Sequence, residues 1–198
     1  MIPRMMTELV LATNNPKKIT EIQARWGDDT VRLFTLEQAG ITEELPETHE
    51  TLRENALEKA QYVYERTGKW SLADDSGLEI EALDGRPGVY SARYAGEHGN
   101  AEANMQKVLA EMEGISDRRA SFKTVLALET GGSTYFFEGE IQGTIIHEKR
   151  GTGGFGYDPI FVPEGYTQTF AEMDPAEKNA ISHRSLAVDK LLEFLKNN

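Results

Sequence analysis

Two neighbouring aspartates, Asp74 and Asp75, stand directly before Ser76 and Gly77, and their carboxylates could bind a metal ion or accept a proton. The apolar residues before them predict a short strand, and Gly77 predicts a tight turn after them. Because side chains alternate along a strand, we expect different roles for the two acids, one holding a divalent cation such as Mg²⁺ and the other orienting or deprotonating water. An ordinary turn with two solvated acids fits the same residues about equally well.

A run of acidic residues precedes the second predicted helix, and one of its members could reach the same metal ion. The run contains Glu43, Glu44, Glu47 and Glu50. Such runs are usually solvated charge on a protein surface. Glu47, which follows Pro46, is the member that we expect near the metal.

The polar segment Thr13–Lys18 joins an apolar run at residues 9–12 to an amphipathic run that contains Ile19, Ile22 and Trp26. This pattern predicts a strand, a turn and a helix. The start of a helix offers free backbone N–H groups and a positive dipole, and two lysines add charge, so the segment suits a polyphosphate. It is not a Walker A loop, because Gly-x-x-x-x-Gly-Lys-Ser/Thr is absent. A solvated turn with surface lysines is the ordinary alternative.

The segment 151–159 contains four glycines within six residues, together with Phe155, Tyr157 and Asp158. Glycines let a backbone approach a ligand and adopt conformations that other residues resist. A plain linker would be richer in Ser or Pro and would not need these aromatic and acidic side chains. The segment is therefore predicted to be a shaped loop that contacts a ligand. It does not follow the Rossmann pattern of Gly-x-Gly-x-x-Gly after an N-terminal strand.

A further group of polar side chains lies around a helix that Asp174 is expected to cap, with Pro175 at its first position. Lys178 is predicted in the first turn of this helix, where a cation opposes the dipole and therefore suggests a ligand. Arg184 could make a bidentate contact to a phosphate or a planar acceptor. His183 alone is more typical of a structural histidine, and the four histidines have no zinc spacing.

Composition limits the classes of function. The 198 residues carry a net charge of −12, which argues against a duplex-binding protein. The chain has no cysteine, which excludes disulfides, zinc–thiolate sites and a cysteine nucleophile. It shows no apolar run of membrane-spanning length and no signal-peptide pattern. We therefore expect a cytoplasmic protein that binds neither nucleic acid nor membrane.

Helical and strand patterns alternate along the chain, and the β-rich runs 120–129 and 135–146 predict a hairpin. Alternation with one antiparallel hairpin predicts an α/β fold with a mixed, elongated, twisted sheet flanked by helices. The length predicts one domain, residues 1–198, with two lobes.

Several of these segments together resemble the inosine/xanthosine triphosphate pyrophosphatases, the Ham1-like nucleotide house-cleaning enzymes. The segment Thr13–Lys18 is similar to Ser/Thr-x-Asn-x-x-Lys, and residues 54–60 are similar to Glu-Asn-Ala-x-x-Lys-Ala. Residues 73–78 and 87–94 resemble the central blocks of the family, residues 151–161 its glycine loop, and Ser182-His183-Arg184 its Ser-His-Arg signature. The segments occur in the family's order between residues 9 and about 190, and in combination they are very specific.

The resemblance implies hydrolysis of non-standard purine triphosphates (ITP, dITP, XTP) to the monophosphate and pyrophosphate. It also implies Mg²⁺, a homodimer, and two lobes around a central nucleotide cleft. It assigns proton acceptance and metal binding to Asp75, and a second metal position to Glu47. The substrate-binding residues that it implies are Thr13, Asn14, Asn15, Pro16, Lys17, Lys18, Ser76, Phe155, Gly156, Tyr157, Asp158, Lys178, His183 and Arg184.

Two other hypotheses fit parts of the sequence. A Maf-like nucleotide pyrophosphatase has a similar strand–turn–helix start, but the loop at Gly151 and the Ser-His-Arg signature argue against it. A non-catalytic nucleotide- or protein-binding module would not need the carboxylates of Asp74 and Asp75. Turnover of ITP with release of pyrophosphate distinguishes these hypotheses.

Overall fold

The computed structural model describes residues 6–198 and has the mixed α/β architecture that the alternating pattern predicts. The described strands are β1 (Thr7–Ala12), β2 (Val31–Phe34), β3 (Trp70–Ile80), β4 (Arg119–Glu129), β5 (Thr134–Ile145) and β6 (Phe161–Pro163). The described α-helices are α1 (Pro16–Arg25), α2 (Leu52–Thr67), α3 (Ala101–Glu111), α4 (Pro175–Ile181) and α5 (His183–Asn197). Short 3₁₀ turns occupy Glu81–Leu83, Gly88–Arg93 and Asp158–Ile160.

The strands form one sheet in the order β2-β1-β3-β4-β5-β6. Strand β1 pairs in parallel with both β2 and β3, whereas β5 pairs antiparallel with β6. The neighbouring strands β4 and β5 are joined by the short turn 130–133, as predicted for the hairpin. The mixed sheet is therefore confirmed.

The chain divides into two compact units. Unit 1 runs up to Asp75 and also contains Val125–Glu138 and Ala187–Asn198, and unit 2 contains Ser76–Thr124 and Gly139–Leu186. In unit 1, strand β1 is buried on both faces, since Leu9 and Leu11 belong to one apolar cluster and Val10 and Ala12 to another. Unit 2 has an apolar cluster of its own around Phe122, Phe161 and Phe170.

Helix α2 forms where its capping signals predict. The Thr51 hydroxyl accepts from the backbone N–H of Glu54, and Gly68 ends the helix in the left-handed conformation with φ of 64°. The apolar stripe of this helix, which includes Ala56, Ala60 and Val63, is fully buried in unit 1. The stripe therefore anchors α2 to the sheet.

Strand β3 corrects one sequence-based prediction, because it does not end in a turn at Asp74–Gly77 but continues to Ile80. Gly77 serves a different purpose: a Cβ atom at this position would overlap the backbone carbonyl of Gly88. Close approach of two backbones, rather than a turn, explains the glycine. The Ser91 hydroxyl then accepts from the Leu78 N–H at 2.9 Å and fixes the 87–94 segment to the strand.

Among residues 6–198, no helix has the combination of length and hydropathy that crossing a membrane requires.

Candidate functional site

In unit 1, a buried lysine on α2 brings the acidic residues together. The Nζ atom of Lys59 donates to Glu47 Oε1 at 2.6 Å, to Asp75 Oδ1 at 3.0 Å and to the backbone carbonyl of Asp74 at 2.9 Å. These three hydrogen bonds use all three donors of the ammonium group. The expected proximity of Glu47 and Asp75 is therefore present, and Lys59 is the group that joins them.

The charge of Lys59 depends on these neighbours. Burial alone would lower the pKa of the ammonium, but attraction by Asp75 and Glu47 more than offsets it and raises the pKa. Lys59 is therefore a cation at neutral pH. The sequence carried a signal for its burial, because Lys59 lies three residues after Ala56 and four before Val63, within the apolar stripe of α2. In the sequence, Lys59 stands out otherwise only as part of residues 54–60, the helix segment that resembles the family.

Among the described residues, only one of the two carboxylate oxygens of Asp75 accepts a hydrogen bond. Its Oδ1 accepts from Lys59, whereas Oδ2 is buried and has no hydrogen-bond partner among the described residues. Burial raises the pKa of the Asp75 carboxyl, and the ammonium groups of Lys59 and Lys18 oppose this rise. A buried acceptor without a donor is costly unless a ligand or ion satisfies it. Asp75 Oδ2 is thus the atom of this group best prepared to accept a proton or a cation.

The arrangement of these acidic groups limits the kind of metal ion that could bind to them. Within residues 6–198, no group of three or more His, Asp or Glu side chains is arranged to hold one. Mg²⁺ commonly takes only one or two protein carboxylates and completes its shell with waters and substrate phosphates. Asp75 Oδ2 with the nearby Glu47 carboxylate fits that sparse pattern, although Lys59 already engages one oxygen of each acid.

The neighbouring acid, Asp74, has a different partner, as the alternation of side chains predicts. Its Oδ1 lies 2.7 Å from Lys18 Nζ, and the Asp74 side chain is almost fully buried. Lys18 was expected to contact phosphate, and in this structure its ammonium is paired with Asp74. The pair ties the start of α1 to β3 within unit 1.

The turn before α1 has more internal hydrogen bonds than the sequence suggests. Asn15 caps the helix, and its Oδ1 accepts from the N–H groups of Lys17 at 3.0 Å and Lys18 at 3.4 Å. Pro16 has no N–H, and the Asn15 N–H donates to the Thr13 hydroxyl at 3.1 Å. The expectation of free N–H groups at this helix start is therefore wrong, since the Asn15 side chain engages them.

Asn14 connects this turn to the acidic segment. Its Oδ1 accepts from the Leu45 N–H at 3.2 Å, and its Nδ2 donates to the Glu43 carbonyl at 3.3 Å. These two bonds place the backbone leading to Glu47 beside the turn. Asn14 therefore has a positioning role in unit 1, while Lys17 is exposed.

In unit 2, the carboxylate of Asp158 holds both the glycine loop and a lysine of α4. Its Oδ2 accepts from Lys178 Nζ at 2.6 Å and from the Phe155 N–H at 2.9 Å, and both charged side chains are buried. Lys178 Nζ also lies 4.7 Å from the centroid of the Phe155 ring, within cation–π range. Asp158 thus fixes the position of Phe155, whose side chain is half-buried.

The helix-dipole argument for Lys178 is wrong. Helix α4 ends at Ile181, so Lys178 lies in its last turn, where a cation is favourable. Helix α4 is short because Ser182 takes an extended conformation before α5 begins. The interest of Lys178 lies instead in its burial against Asp158 and Phe155.

Arg184, at the start of α5, is buried to 1% exposure, and its Nη2 donates to Ser76 Oγ at 3.1 Å. Its guanidinium carbon lies 5.5 Å from the Phe155 ring centroid. The structure therefore brings together three predicted substrate-binding residues of unit 2, namely Ser76, Phe155 and Arg184. Burial of an arginine with an aromatic ring and a hydroxyl is typical of planar recognition.

The side chains of His183 and Tyr157 are buried and contact neighbouring groups of the protein. The His183 ring stacks on Phe122 with a centroid distance of 4.8 Å and an interplanar angle of 13°. The Tyr157 hydroxyl donates to the Ser91 carbonyl at 2.7 Å, and burial raises the pKa of this phenol. Both side chains therefore stabilise the surroundings of Phe155 and Arg184.

The loop glycines are explained by close packing within unit 2. A Cβ atom at Gly151 or Gly153 would meet the backbone of Ala171, and one at Gly154 would overlap the carboxylate of Asp158. The sequence predicted that the glycines approach a ligand. Three of them instead approach other parts of the protein and shape the loop around Asp158.

Gly154→Ala is expected to destabilise the protein more than Gly156→Ala. Both glycines have positive φ, 67° and 60°, so either alanine carries a cost of about 1–2 kcal/mol. Only at position 154 does the new methyl group also displace Asp158 from Lys178 and Phe155, because nothing lies within 4 Å of a Cβ at Gly156. Urea unfolding of both variants measures the difference, and equal losses would contradict the packing explanation.

Comparison with known proteins agrees with the resemblance in the sequence. The model of the Ham1 family matches residues 9–194. A protein named dITP/XTP pyrophosphatase from Porphyromonas gingivalis is 52% identical over 191 residues, covering 96% of this chain and 98% of the relative. A protein of the same name from Bacillus subtilis is 45% identical over 195 residues, covering 97% of this chain and 98% of the relative.

Solved structures show the same fold. The Ham1 protein of Staphylococcus aureus has a TM-score of 0.88 at 38% identity, covering 96% of this chain and 99% of that one. A HAM1 protein from Coxiella burnetii has a TM-score of 0.89 at 42% identity, covering 98% and 100% of the two chains. With near-complete coverage in sequence and in structure, the chain belongs to the Ham1 family.

Proposed function

We propose that this protein hydrolyses non-standard purine nucleoside triphosphates (ITP, dITP and XTP) to the monophosphate and pyrophosphate. The names of the relatives support this activity. The observation that carries the proposal is the buried Asp75 carboxylate, which Lys59 holds through Oδ1 while Oδ2 has no partner among the described residues. The reaction requires an acceptor of this kind for the proton of water.

In the proposed reaction, a water oxygen attacks the α-phosphorus of the substrate. Asp75 Oδ2 accepts a proton from this water, the bond from the α-phosphorus to the bridging oxygen breaks, and pyrophosphate leaves. Lys59 fixes the carboxylate by its bond to Oδ1, so that Oδ2 has a defined direction. Fixed orientation of the reacting groups supplies much of the acceleration in phosphoryl transfer.

We propose Mg²⁺ as the cofactor, with Glu47 and Asp75 as its protein ligands. When bound, the ion would neutralise charge on the substrate phosphates. The sparse pair of carboxylates supports Mg²⁺ over a zinc site, because zinc prefers a closed set of nitrogen and sulfur ligands.

For the polyphosphate, we propose the turn that contains Thr13, Asn14, Asn15, Pro16, Lys17 and Lys18. The exposed Lys17 can meet phosphate directly, while Lys18 keeps its pair with Asp74 and can donate to phosphate through another N–H of its ammonium group. The Asn15 side chain can donate through its amide nitrogen while its oxygen continues to cap the helix. The lysine bonds are favourable because a charge-assisted hydrogen bond to phosphate is stronger than a neutral one.

For the base and sugar, we propose the unit 2 residues already described, with Phe155 and Arg184 in contact with the base. The remaining members of this proposed set are Ser76, Gly156, Tyr157, Asp158, Lys178 and His183. A 6-oxo purine presents an acceptor where adenine presents an amino group, so a buried donor such as Arg184 favours the oxo base. Adenine would leave that donor unpaired, which is costly in a buried site.

Incubation with dITP and Mg²⁺ is expected to release pyrophosphate and dIMP, with much slower release from dATP. An assay that separates pyrophosphate from inorganic phosphate measures the release directly. A reaction in which EDTA chelates the Mg²⁺ is the matched control. Release of single phosphates, or no turnover of any purine triphosphate, would contradict the proposed function.

We also propose that the protein is a cytoplasmic homodimer that engages neither nucleic acid nor membrane, as the family resemblance and the net charge of −12 suggest. Light scattering tests the assembly, and a mass equal to the 22.1 kDa of one chain would contradict the dimer.

A further inference from the structure

Thr124, on β4 in unit 2, presents a buried hydroxyl to a predicted substrate-binding residue. The side chain is 1% exposed, and its Oγ1 lies 2.7 Å from the Oγ of Ser76 on β3. A buried hydroxyl costs free energy unless it is hydrogen-bonded. Neither the pattern of the sequence nor the resemblance to the family singled out Thr124.

The direction of this hydrogen bond follows from the neighbouring groups. Arg184 can only donate, so its Nη2 occupies one lone pair of Ser76 Oγ. The proton of the Thr124 hydroxyl needs an acceptor, and within the described residues the acceptor in contact with it is Ser76 Oγ. Thr124 therefore donates to Ser76 Oγ, which also accepts from Arg184.

We propose that Thr124 is a positioning residue that holds the Ser76 hydroxyl in contact with Arg184 and so sets the place of both groups in the proposed base and sugar site. This inference rests on the proposed function. Its effect extends to the glycine loop, because the Arg184 guanidinium that Ser76 orients lies 5.5 Å from the Phe155 ring. A hydroxyl on a sheet strand thus helps to define the positions of the groups proposed to meet the substrate.

Thr124→Val keeps the shape of the side chain and removes the hydroxyl. We expect KM for dITP to rise about three- to tenfold, the effect of one lost hydrogen bond, with kcat changed less than about twofold. Thr124→Ser keeps the hydroxyl and is expected to restore KM to within about twofold of the parent chain. In the Ser76→Ala background, Thr124→Val is expected to have no further effect on KM, since it acts through Ser76.

Three results would overturn the proposal: an unchanged KM in Thr124→Val, equal impairment of Thr124→Ser and Thr124→Val, or an additive effect of Thr124→Val in the Ser76→Ala background. Should Thr124→Val not fold, as judged by circular dichroism, Thr124→Ala replaces it as the hydroxyl-free variant. Absence of dITP turnover by the parent chain would instead overturn the proposed function. In that case, the dissociation constants of the same variants for dITP are measured by equilibrium binding in EDTA. The ratios expected for these constants, and the results that would contradict the proposal, are those given above for KM.

Discussion

Asp75→Asn is expected to lower kcat for dITP hydrolysis by about 10²- to 10⁴-fold, the range that general-base catalysis contributes, while binding of dITP persists. Asparagine has the size of aspartate, and its amide oxygen can still accept from Lys59. It cannot take up a proton from water. Steady-state kinetics with dITP measure the loss, and equilibrium binding measures the affinity.

A matched control is Asp117→Asn. The Asp117 side chain is 41% exposed and pairs with Arg119, which is not among the residues proposed for the site. This variant is expected to retain parental kcat and KM. Normal turnover in Asp75→Asn would remove Asp75 from its proposed role, and equal losses in both variants would point to a general effect of lost charge.

The stability of Asp75→Asn shows whether its lower turnover comes from a lost catalytic group or from unfolding of the protein. Burial raises the pKa of Asp75 in the folded protein above the ordinary value of about 3.9, so the folded chain holds this proton more tightly than the unfolded chain. Ionisation of Asp75 therefore costs stability, and the cost appears as the pH rises from the ordinary pKa through the raised one. In EDTA, the free energy of unfolding of Asp75→Asn relative to the parent is expected to increase over this interval. A relative stability that falls with rising pH would contradict this sign.

Lys59→Met is expected to lower the free energy of unfolding by about 3–5 kcal/mol, the usual effect of removing one member of a buried ion pair. Without the ammonium, the buried Asp75 carboxylate loses its partner and faces the like charge of Glu47. The raised pKa of Lys59 means that its contribution is fully present at neutral pH, below the ordinary lysine pKa of about 10.4, and is lost only at more alkaline pH. Turnover should also fall by about 10²-fold, because Asp75 loses its fixed orientation.

Two comparisons test this explanation of Lys59. Arg53→Met removes a cation from the same helix whose ion pair with Glu138 is exposed on both sides, so its effect on stability should be below about 1 kcal/mol. The double variant Lys59→Met with Asp75→Asn removes both buried charges and should recover much of the lost stability. Urea unfolding measures the parent chain, the three single variants Lys59→Met, Arg53→Met and Asp75→Asn, and the double variant. Additive losses in the double variant would show that packing of the lysine stem, not its charge, is what matters.

The regular elements of this protein could be predicted from local patterns because local physics determines them. The Thr51 cap, the buried stripe of α2 and Gly68 define a helix without reference to the rest of the chain. Alternation along β3 likewise predicted different environments for Asp74 and Asp75, and they have different lysine partners. The mixed sheet followed from the order of these elements.

Contacts between distant segments could not be predicted in this way. Nothing local to Asp75 indicates that Lys59 would bond to it, or that the backbone of Gly88 would approach Gly77 and keep β3 extended. The same limit explains why the glycines of residues 151–154 suggested a ligand, when their neighbours are Ala171 and Asp158. The lysine in the buried stripe of α2 was a usable signal, because a charge in such a position requires a buried partner.

The two bonds that Asp158 makes, to Lys178 and to the Phe155 N–H, also limit how this protein can be engineered. A glycine loop transplanted from another protein would introduce its own residue at position 158, opposite a lysine on a helix outside the exchanged segment. A neutral residue there would leave the buried Lys178 ammonium without its carboxylate, and the loop would lose its internal anchor. Chimeras of this loop should therefore exchange residues 151–158 together with position 178.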